Sequence, residues 1–547
     1  MTAAPLSFSG RVTLSFSGRV TYARLRATDP ARWTAAALDW RRWAALAGVL
    51  GADLGSLVTR LRAAWSGAAA DAATAVIDGF RRRITLFRLV CWRVDQALSE
   101  FAAALGRARS LLDRARAAGL VIHDDGTVSA PPPATAPAGS AAPAAASVGA
   151  IIGSAGVATG SAAPVAGSAD LAAALSIAAE ADTATVERLA GISVEAVPPR
   201  ARDRPSCAAT AAEVRAWWGG LGAAERMWLL AVEPGSVAGF AGVPVADRDL
   251  ANRLLLDTLP NRAGLDALRA RIDGASGSAP AGKSGSGDGG YGSAWSSGGG
   301  DGGSGDGGSG LRAYLIGLNV AADGRAVIAL GDPDLADNVL THVPGMTADL
   351  ESVGGELTRA ERVAERATDV RPAEATSAIL WLDYDAPDFL DEAWSARQAE
   401  EGAAGLRSFQ EGLRTTHEGA GRLTVLGHSY GSLLVGRAAA GGLAAENVVF
   451  VGSPGVGADS VGELHLPAGQ RVWASTSVSD PIQYLAIDPV DRHPGRDLWF
   501  GRDPSDPGFG ARVFHSQVDA GHLGYWDPGR PALDALAAIT LGDRPGP

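Results

Sequence analysis

Leu423-Thr-Val-Leu-Gly-His-Ser-Tyr-Gly431 is the stretch on which the reading of this chain turns. It opens with apolar, β-branched residues, as a buried strand does. It bends through Gly427-His428-Ser429-Tyr430-Gly431 and continues as an apolar, helix-prone run to Ala440. Strand, sharp turn and helix are the context in which G-x-S-x-G is a nucleophile elbow, whose turn strains the serine backbone and lifts Oγ clear of the sheet. Gly427 and Gly431 are expected where any Cβ would strike the neighbouring strand and helix. The helix N-terminus then faces Ser429 and favours negative charge beside it. In a chain with 71 Gly the pentapeptide alone is common, so the reading depends on whether an acid and a histidine follow in order.

They do. Asp480 lies just past a strand-like run, 471–475, in Ser-Val-Ser-Asp-Pro-Ile, and His522 ends Asp519-Ala-Gly-His522 after the strand-like 511–515. A hydroxyl is a poor nucleophile until a base takes its proton. A neutral imidazole can do so near pH 7, with a carboxylate behind it to fix the tautomer and stabilise the imidazolium. The order Ser429, Asp480, His522, each at the C-terminal end of an expected strand, fits that chemistry. His515 is expected inside the last strand, His493 in a loop rich in Asp and Arg, and His428 within the elbow, lining a pocket or packing. Asp488 and Asp491 are alternatives to Asp480, which ranks first. Two donors must also meet a developing oxyanion. The backbone N–H of Tyr430 is one candidate and that of Met346 the other, on a loop where Gly345 permits close approach.

From residue 311 the pattern is β-like. Runs at 311–320 and 325–330 are joined by Ala-Ala-Asp-Gly, a hairpin signal. Further strands are expected at 338–343, 377–383, 422–426, 447–451 and 471–475. Helices are expected at 346–368, 396–416 and 432–441. An antiparallel start followed by β-α alternation implies a mostly parallel sheet covered on both faces, an α/β-hydrolase layout with the elbow on the fifth strand.

At 547 residues the chain is too long for one compact domain. A formal charge of −12 and a pI near 5.2 argue against nucleic acid or an anionic membrane as partner. Lys283 stands alone among 48 basic residues, a sign of GC-rich codon usage. Cys91 and Cys207 fall in different segments, so no disulfide framework or metal cluster is expected. No unbroken run of 18 apolar residues occurs, so no membrane span is expected. The absence of a secretory signal pattern makes the cytoplasm the default location.

Residues 1–28 hold LSFSGRVT twice in tandem, a local duplication or an early start codon, with no function assigned. Residues 29–128 read as a helical hairpin bending near Trp65-Ser-Gly67. Trp33, Ala37, Trp40 and Ala44 recur on one arm; Phe80, Ile84, Phe87, Cys91, Val94, Leu98, Phe101 and Leu105 lie on the other. Residues 129–168 are an Ala/Pro/Gly linker. Residues 169–273 are helical again and are expected to pack on or cap the catalytic part. Residues 274–310 are a Gly/Ser/Asp-rich linker, and 311–547 form the catalytic domain.

Trp65-Ser-Gly67 between two long helices resembles the WXG100-like hairpins linked to type VII secretion. That family's export signal, a Tyr followed by an acid after the hairpin, has no counterpart, because no Tyr lies between Tyr22 and Tyr291. The resemblance implies a protein partner through the hairpin and export by that route. The catalytic part is more specific. His342-Val-Pro-Gly-Met346, Gly427-His-Ser-Tyr-Gly431, Gly452-Ser-Pro-Gly-Val-Gly457, Asp480-Pro-Ile482 and Gly521-His522 resemble an actinobacterial family of α/β hydrolases of uncharacterised function. That resemblance implies a Ser-Asp-His triad and supplies no substrate.

The expectation is a serine hydrolase cleaving an ester-like bond of a small-molecule or lipid substrate, needing no cofactor and no metal. Ester over amide rests on how often the fold carries each activity. Two other readings stand beside it: a partner-binding or secretion-associated protein on an inactive hydrolase scaffold, and a lipase with the helical segments as a lid.

Overall fold

The computed structural model describes residues 20–123, 126, 128–129, 167–199, 204–260, 262–274, 310–485 and 497–546. The tandem copy in 1–19 and most of both expected linkers lie outside the described residues.

The N-terminal region is helical apart from one short antiparallel pairing of Val121–Ile122 with Val128–Ser129. Helix α1 (Pro30–Ala64) starts where Asp29 caps the N–H of Ala31 at 3.1 Å and Pro30 occupies the first turn. After Trp65-Ser-Gly67, with Gly67 at φ 102°, the chain reverses into α2 (Ala68–Ala117). Helices α3 (Ser168–Ala190), α4 (Ala211–Gly219), α5 (Ala223–Val232) and α6 (Val245–Leu256) follow. Thr210 and Glu213 close a capping box at the start of α4, each side chain bonding the other's backbone N–H.

Eight strands then form one sheet. They are β1 (Ala313–Asn319), β2 (Arg325–Leu330), β3 (Asn338–Val343), β4 (Thr376–Leu382), β5 (Arg422–His428), β6 (Asn447–Val451), β7 (Arg471–Ser475) and β8 (Arg512–Val513). Their spatial order is β8-β7-β6-β5-β3-β4-β2-β1. The β1–β2 and β2–β4 pairs are antiparallel, and every other neighbouring pair is parallel. Strands β3, β4 and β6 are buried along their whole length, which explains why they are mostly apolar on both faces. Alternation along β5 divides the core. Val425 packs with Leu406, Leu433 and Leu434 of α8 (Arg397–Thr416) and α9 (Tyr430–Ala440). Leu426 packs with Trp526, Leu536 and Ile539 on the other face, where α7 (Val353–Val370) and α10 (Pro531–Thr540) lie.

The helical region is joined to this sheet at its antiparallel edge. Asn252 and Arg253 on α6 donate to the carbonyls of Ile316 and Ala313, both at 2.9 Å, and Asp249 accepts the N–H of Leu315 at 2.8 Å. An edge strand whose backbone is engaged this way is not open to another chain. Asp95 of α2, fully buried, takes Arg41 of α1 at 2.8 Å and Arg312 at 2.8 Å. Arg312 also reaches Asp249 at 2.8 Å. Hairpin, capping helices and sheet thus share one buried charge cluster.

Three details differ from the sequence reading. Helix α7 begins at Val353, not 346, because residues 346–352 form the loop beside the elbow. Strand β8 covers two residues, so His515 lies beyond it and is exposed. Helix α1 is long and apolar enough, by length and composition, to cross a membrane, with mean hydropathy 1.3 over its most apolar window. The sequence reading required an unbroken apolar run, which Asp53 interrupts, whereas an average tolerates one acid. In the structure α1 packs against α2 and its Arg41 pairs with Asp95.

Candidate active site

Strand β5 ends at His428 and α9 begins at Tyr430, so Ser429 alone makes the turn, at φ 53° and ψ −130°. That conformation is nearly confined to glycine and costs a few kcal/mol, about 1–3. It is held on both sides: Ser429 N–H donates to the Val451 carbonyl at 3.0 Å, and Ser432 Oγ donates to the Ser429 carbonyl at 2.5 Å. The two elbow glycines have separate steric causes. A Cβ on Gly427 would lie 2.6 Å from Ser432 Cα, inside α9. One on Gly431 would overlap the carbonyls of Val343 and Pro344 at the end of β3.

Asp480 follows β7 and is fully buried. Its carboxylate lies 2.8 Å (Oδ1) and 3.0 Å (Oδ2) from His522 Nδ1, and it accepts the Ile482 N–H at 2.9 Å. The Tyr525 hydroxyl donates to Oδ2 at 2.7 Å. Burial and the adjacent carboxylate push the Tyr525 phenol far above its ordinary range, so it stays protonated and remains a donor. Gly521 N–H donates to Ser479 Oγ at 2.8 Å, tying the histidine loop to the acid loop. With a carboxylate on Nδ1, the proton sits there and Nε2 is left as the acceptor.

His428 has a different task. Its Nε2 lies 3.0 Å from the His522 carbonyl, and its ring stands edge-on to Trp526 at 4.8 Å. Burial, with His522 adding to it, drives its pKa well below the ordinary 6.5, so the ring is neutral and Nε2–H is the donor to that carbonyl. His428 therefore holds the backbone of His522 from below.

Ser429 and His522 line one cavity of about 150 Å³, together with Gly345, Met346, Tyr430 and His428. Gly345 lies against Ser429: a Cβ there would be 2.6 Å from Ser429 Cβ and 3.1 Å from Oγ. The loop is fixed by Tyr384, whose hydroxyl donates to Pro344 O at 2.7 Å, and by Thr347, at φ 65°, whose N–H donates to Pro387 O at 2.8 Å. Tyr430 is the first residue of α9, so its N–H has no carbonyl within the helix to bond. Every residue lining the cavity lies between Gly345 and Leu523. Among the described residues, the helices of 169–273 pack on the sheet edge and contribute none of that lining.

Sequence reasoning missed several residues here. Glu356 and Arg359 of α7 line the cavity as an ion pair. Burial alone would raise the Glu356 pKa, but its bonds to His342 (3.0 Å) and Arg359 hold it below the usual range. Arg359 also lies over the Trp526 ring at 5.4 Å. Trp499, Ile482 and Leu523 supply apolar wall. Gly452, at φ 54° directly after β6, backs the acid and histidine, and a glycine at a strand's C-terminal end was its available signal. Asp488, Asp491 and His493 lie outside the described residues. No group of three or more His, Cys, Asp or Glu suited to a metal occurs among the described residues.

Residues 320–488 match the model of a family described as alpha/beta hydrolase. An uncharacterised protein of Mycobacterium tuberculosis, Rv2079, is 33% identical over 367 residues, covering 61% of this chain and 56% of the relative. An uncharacterised protein of Mycobacterium bovis, Mb0988c, is 34% identical over 173 residues, covering 29% of this chain and 64% of the relative. The chain thus spans between half and two thirds of the length of these relatives. Among solved structures, an esterase of Pyrobaculum calidifontis aligns with 42% of this chain and 85% of its own, at 12% identity and a TM-score of 0.27. On its sheet order, its elbow and the family match, the C-terminal half of this chain has the α/β-hydrolase fold, with an all-α region packed on its edge.

Proposed function

We propose that this protein is a serine hydrolase that cleaves a carboxylic ester or thioester through an acyl-enzyme on Ser429. The observation that carries the reading is a His522 imidazole, held at Nδ1 by a buried carboxylate, lining the same cavity as a serine in strained backbone. Ser429 Oγ attacks the carbonyl carbon while His522 Nε2 takes its proton. Asp480 orients the ring and stabilises the imidazolium. The oxyanion is met by the N–H groups of Tyr430 and Met346. His522 then returns the proton to the leaving oxygen or sulfur, and water enters by the same route to release the acid. The substrate is a small-molecule or lipid ester, and no step requires a cofactor.

The test uses the full chain with short p-nitrophenyl esters and a fluorophosphonate probe. Ser429→Ala should lose labelling and lower turnover by more than about 10³-fold. Undiminished hydrolysis by that variant would remove Ser429 from the mechanism. A wild-type chain that neither turns over esters nor takes the probe would leave the inactive-scaffold reading instead.

A further inference from the structure

The cavity over Ser429 is small, and part of its lining is apolar. At about 150 Å³ it holds roughly a benzene-sized group, about six carbons. Ala393, Pro454, Ile482, Trp499 and Leu523 form its apolar wall. Separate chain segments then carry exposed apolar side chains outward from that wall. Trp394 follows the lining Ala393, is 63% exposed, and has its ring 5.4 Å from that of Trp499. Phe389, 67% exposed, directly precedes the short helix Leu390–Ala393. Tyr484, 67% exposed, lies on the helical turn of the lining Ile482, and Leu523 itself is 39% exposed.

Single exposed apolar residues need no explanation, but a cluster converging on a cavity does. Each aromatic ring could bury on the order of 150–250 Å² against an apolar partner. Among the described residues these side chains stay exposed, and the helical region is docked away from them, on the edge strand β1. The wall and the collar are continuous through the Trp499–Trp394 contact, so one apolar chain can leave the cavity and stay on apolar surface.

We infer that the preferred substrate is an ester with an unbranched aliphatic acyl chain longer than the cavity, its first carbons beside Ser429 and the remainder lying across Trp499 and Trp394. This rests on the hydrolase reading above and adds the substrate class. The Glu356–Arg359 pair is engaged by His342 and Trp526, which leaves the apolar wall as the surface on which chains are distinguished.

The experiment measures kcat/KM of the full chain for p-nitrophenyl esters from C2 to C12, each below its critical micelle concentration. A methylene moved from water to apolar surface is worth about 0.8 kcal/mol, about fourfold. The expected profile rises by up to that factor per methylene to about C6, then more gently to C10, where chains lie on an open surface. Trp394→Ala should lower the C10-to-C4 ratio by threefold or more, whereas Leu46→Ser, on the distant hairpin, should leave it as in wild type. A maximum at C2 or C4, or a ratio unmoved by Trp394→Ala, would overturn the inference while Ser429-dependent turnover left the hydrolase reading standing. Rates flat below the micelle concentration and jumping above it would assign the collar to a lipid surface and overturn it as well. No turnover of any ester would overturn both.

Discussion

Gly452→Ala tests whether Asp480 and His522 work as a positioned pair, without touching either. Gly452 has φ 54°, and a Cβ built there lies 2.7 Å from Asp480 Oδ2 and 3.3 Å from both Cε1 and Nδ1 of His522. Ordinary carbon contacts begin near 3.4 Å, so the carboxylate must retreat by about 0.7 Å or the strand end must move. Tyr525 and the Ile482 N–H hold the carboxylate on its other sides, which leaves the pair to misalign as a unit. Misplacement by about 1 Å costs on the order of 10²-fold, so kcat/KM for p-nitrophenyl butyrate should fall by roughly 10- to 100-fold. The left-handed backbone adds a stability cost of about 1–2 kcal/mol, readable in a urea melt. Fluorophosphonate labelling should slow in parallel, because it draws on the same activated oxygen. A variant within about twofold of wild type in kcat/KM, yet destabilised as expected, would show that the Asp480–His522 contact does not govern the reaction.

Tyr525→Phe removes a donor to the buried Asp480 and the acceptor of the Ser477 N–H at 2.9 Å. It should destabilise the protein by about 2–4 kcal/mol, measured by urea unfolding, and lower kcat/KM for p-nitrophenyl butyrate, since the carboxylate loses one of the bonds that fix its position. An unchanged kcat/KM would detach Tyr525 from the Asp480–His522 pair. His428 is buried neutral, with its folded pKa depressed below 6.5. Its contribution to stability is complete above pH 6.5 and is lost as pH falls, because the unfolded chain takes up a proton that the folded one refuses. The expected loss is about 1.4 kcal/mol per pH unit below about 6.5, measured by urea unfolding, and His428→Gln should flatten it. Arg312→Met leaves Asp95 and Asp249 buried with one counter-charge fewer, for a loss of about 3–5 kcal/mol by denaturant melt. A loss under 1 kcal/mol would mean that the cluster does not join hairpin to sheet.

Much of the fold was legible because it is written in local signals. Strands β3, β6 and β7 begin and end where the sequence reading set them, since short β-branched and apolar runs bounded by turn residues have few other solutions. The elbow was legible because its two glycines answer short-range steric needs. The start of α7 was misjudged because Met346 and Ala348 are helix-compatible residues. The loop they occupy is set instead by Tyr384 and Pro387, which are remote in sequence. The docking place of the 169–273 helices was not legible for a related reason: amphipathic helices show that they will pack, not against which edge.

By itself, then, the amino-acid order determined an eight-strand alternation with a serine on a strained bend and an acid and an imidazole after later strands. Each of those features depends on residues within a few positions of one another. Only the tertiary structure decided that Tyr525 and Ile482 hold Asp480, that His428 props the His522 carbonyl, and that Gly452 makes room for both. It also decided that Arg359 and Trp499 share a cavity with Ser429. Those contacts join segments that meet only when parallel strands end side by side, and proximity created by chain closure leaves no periodicity for a sequence to display.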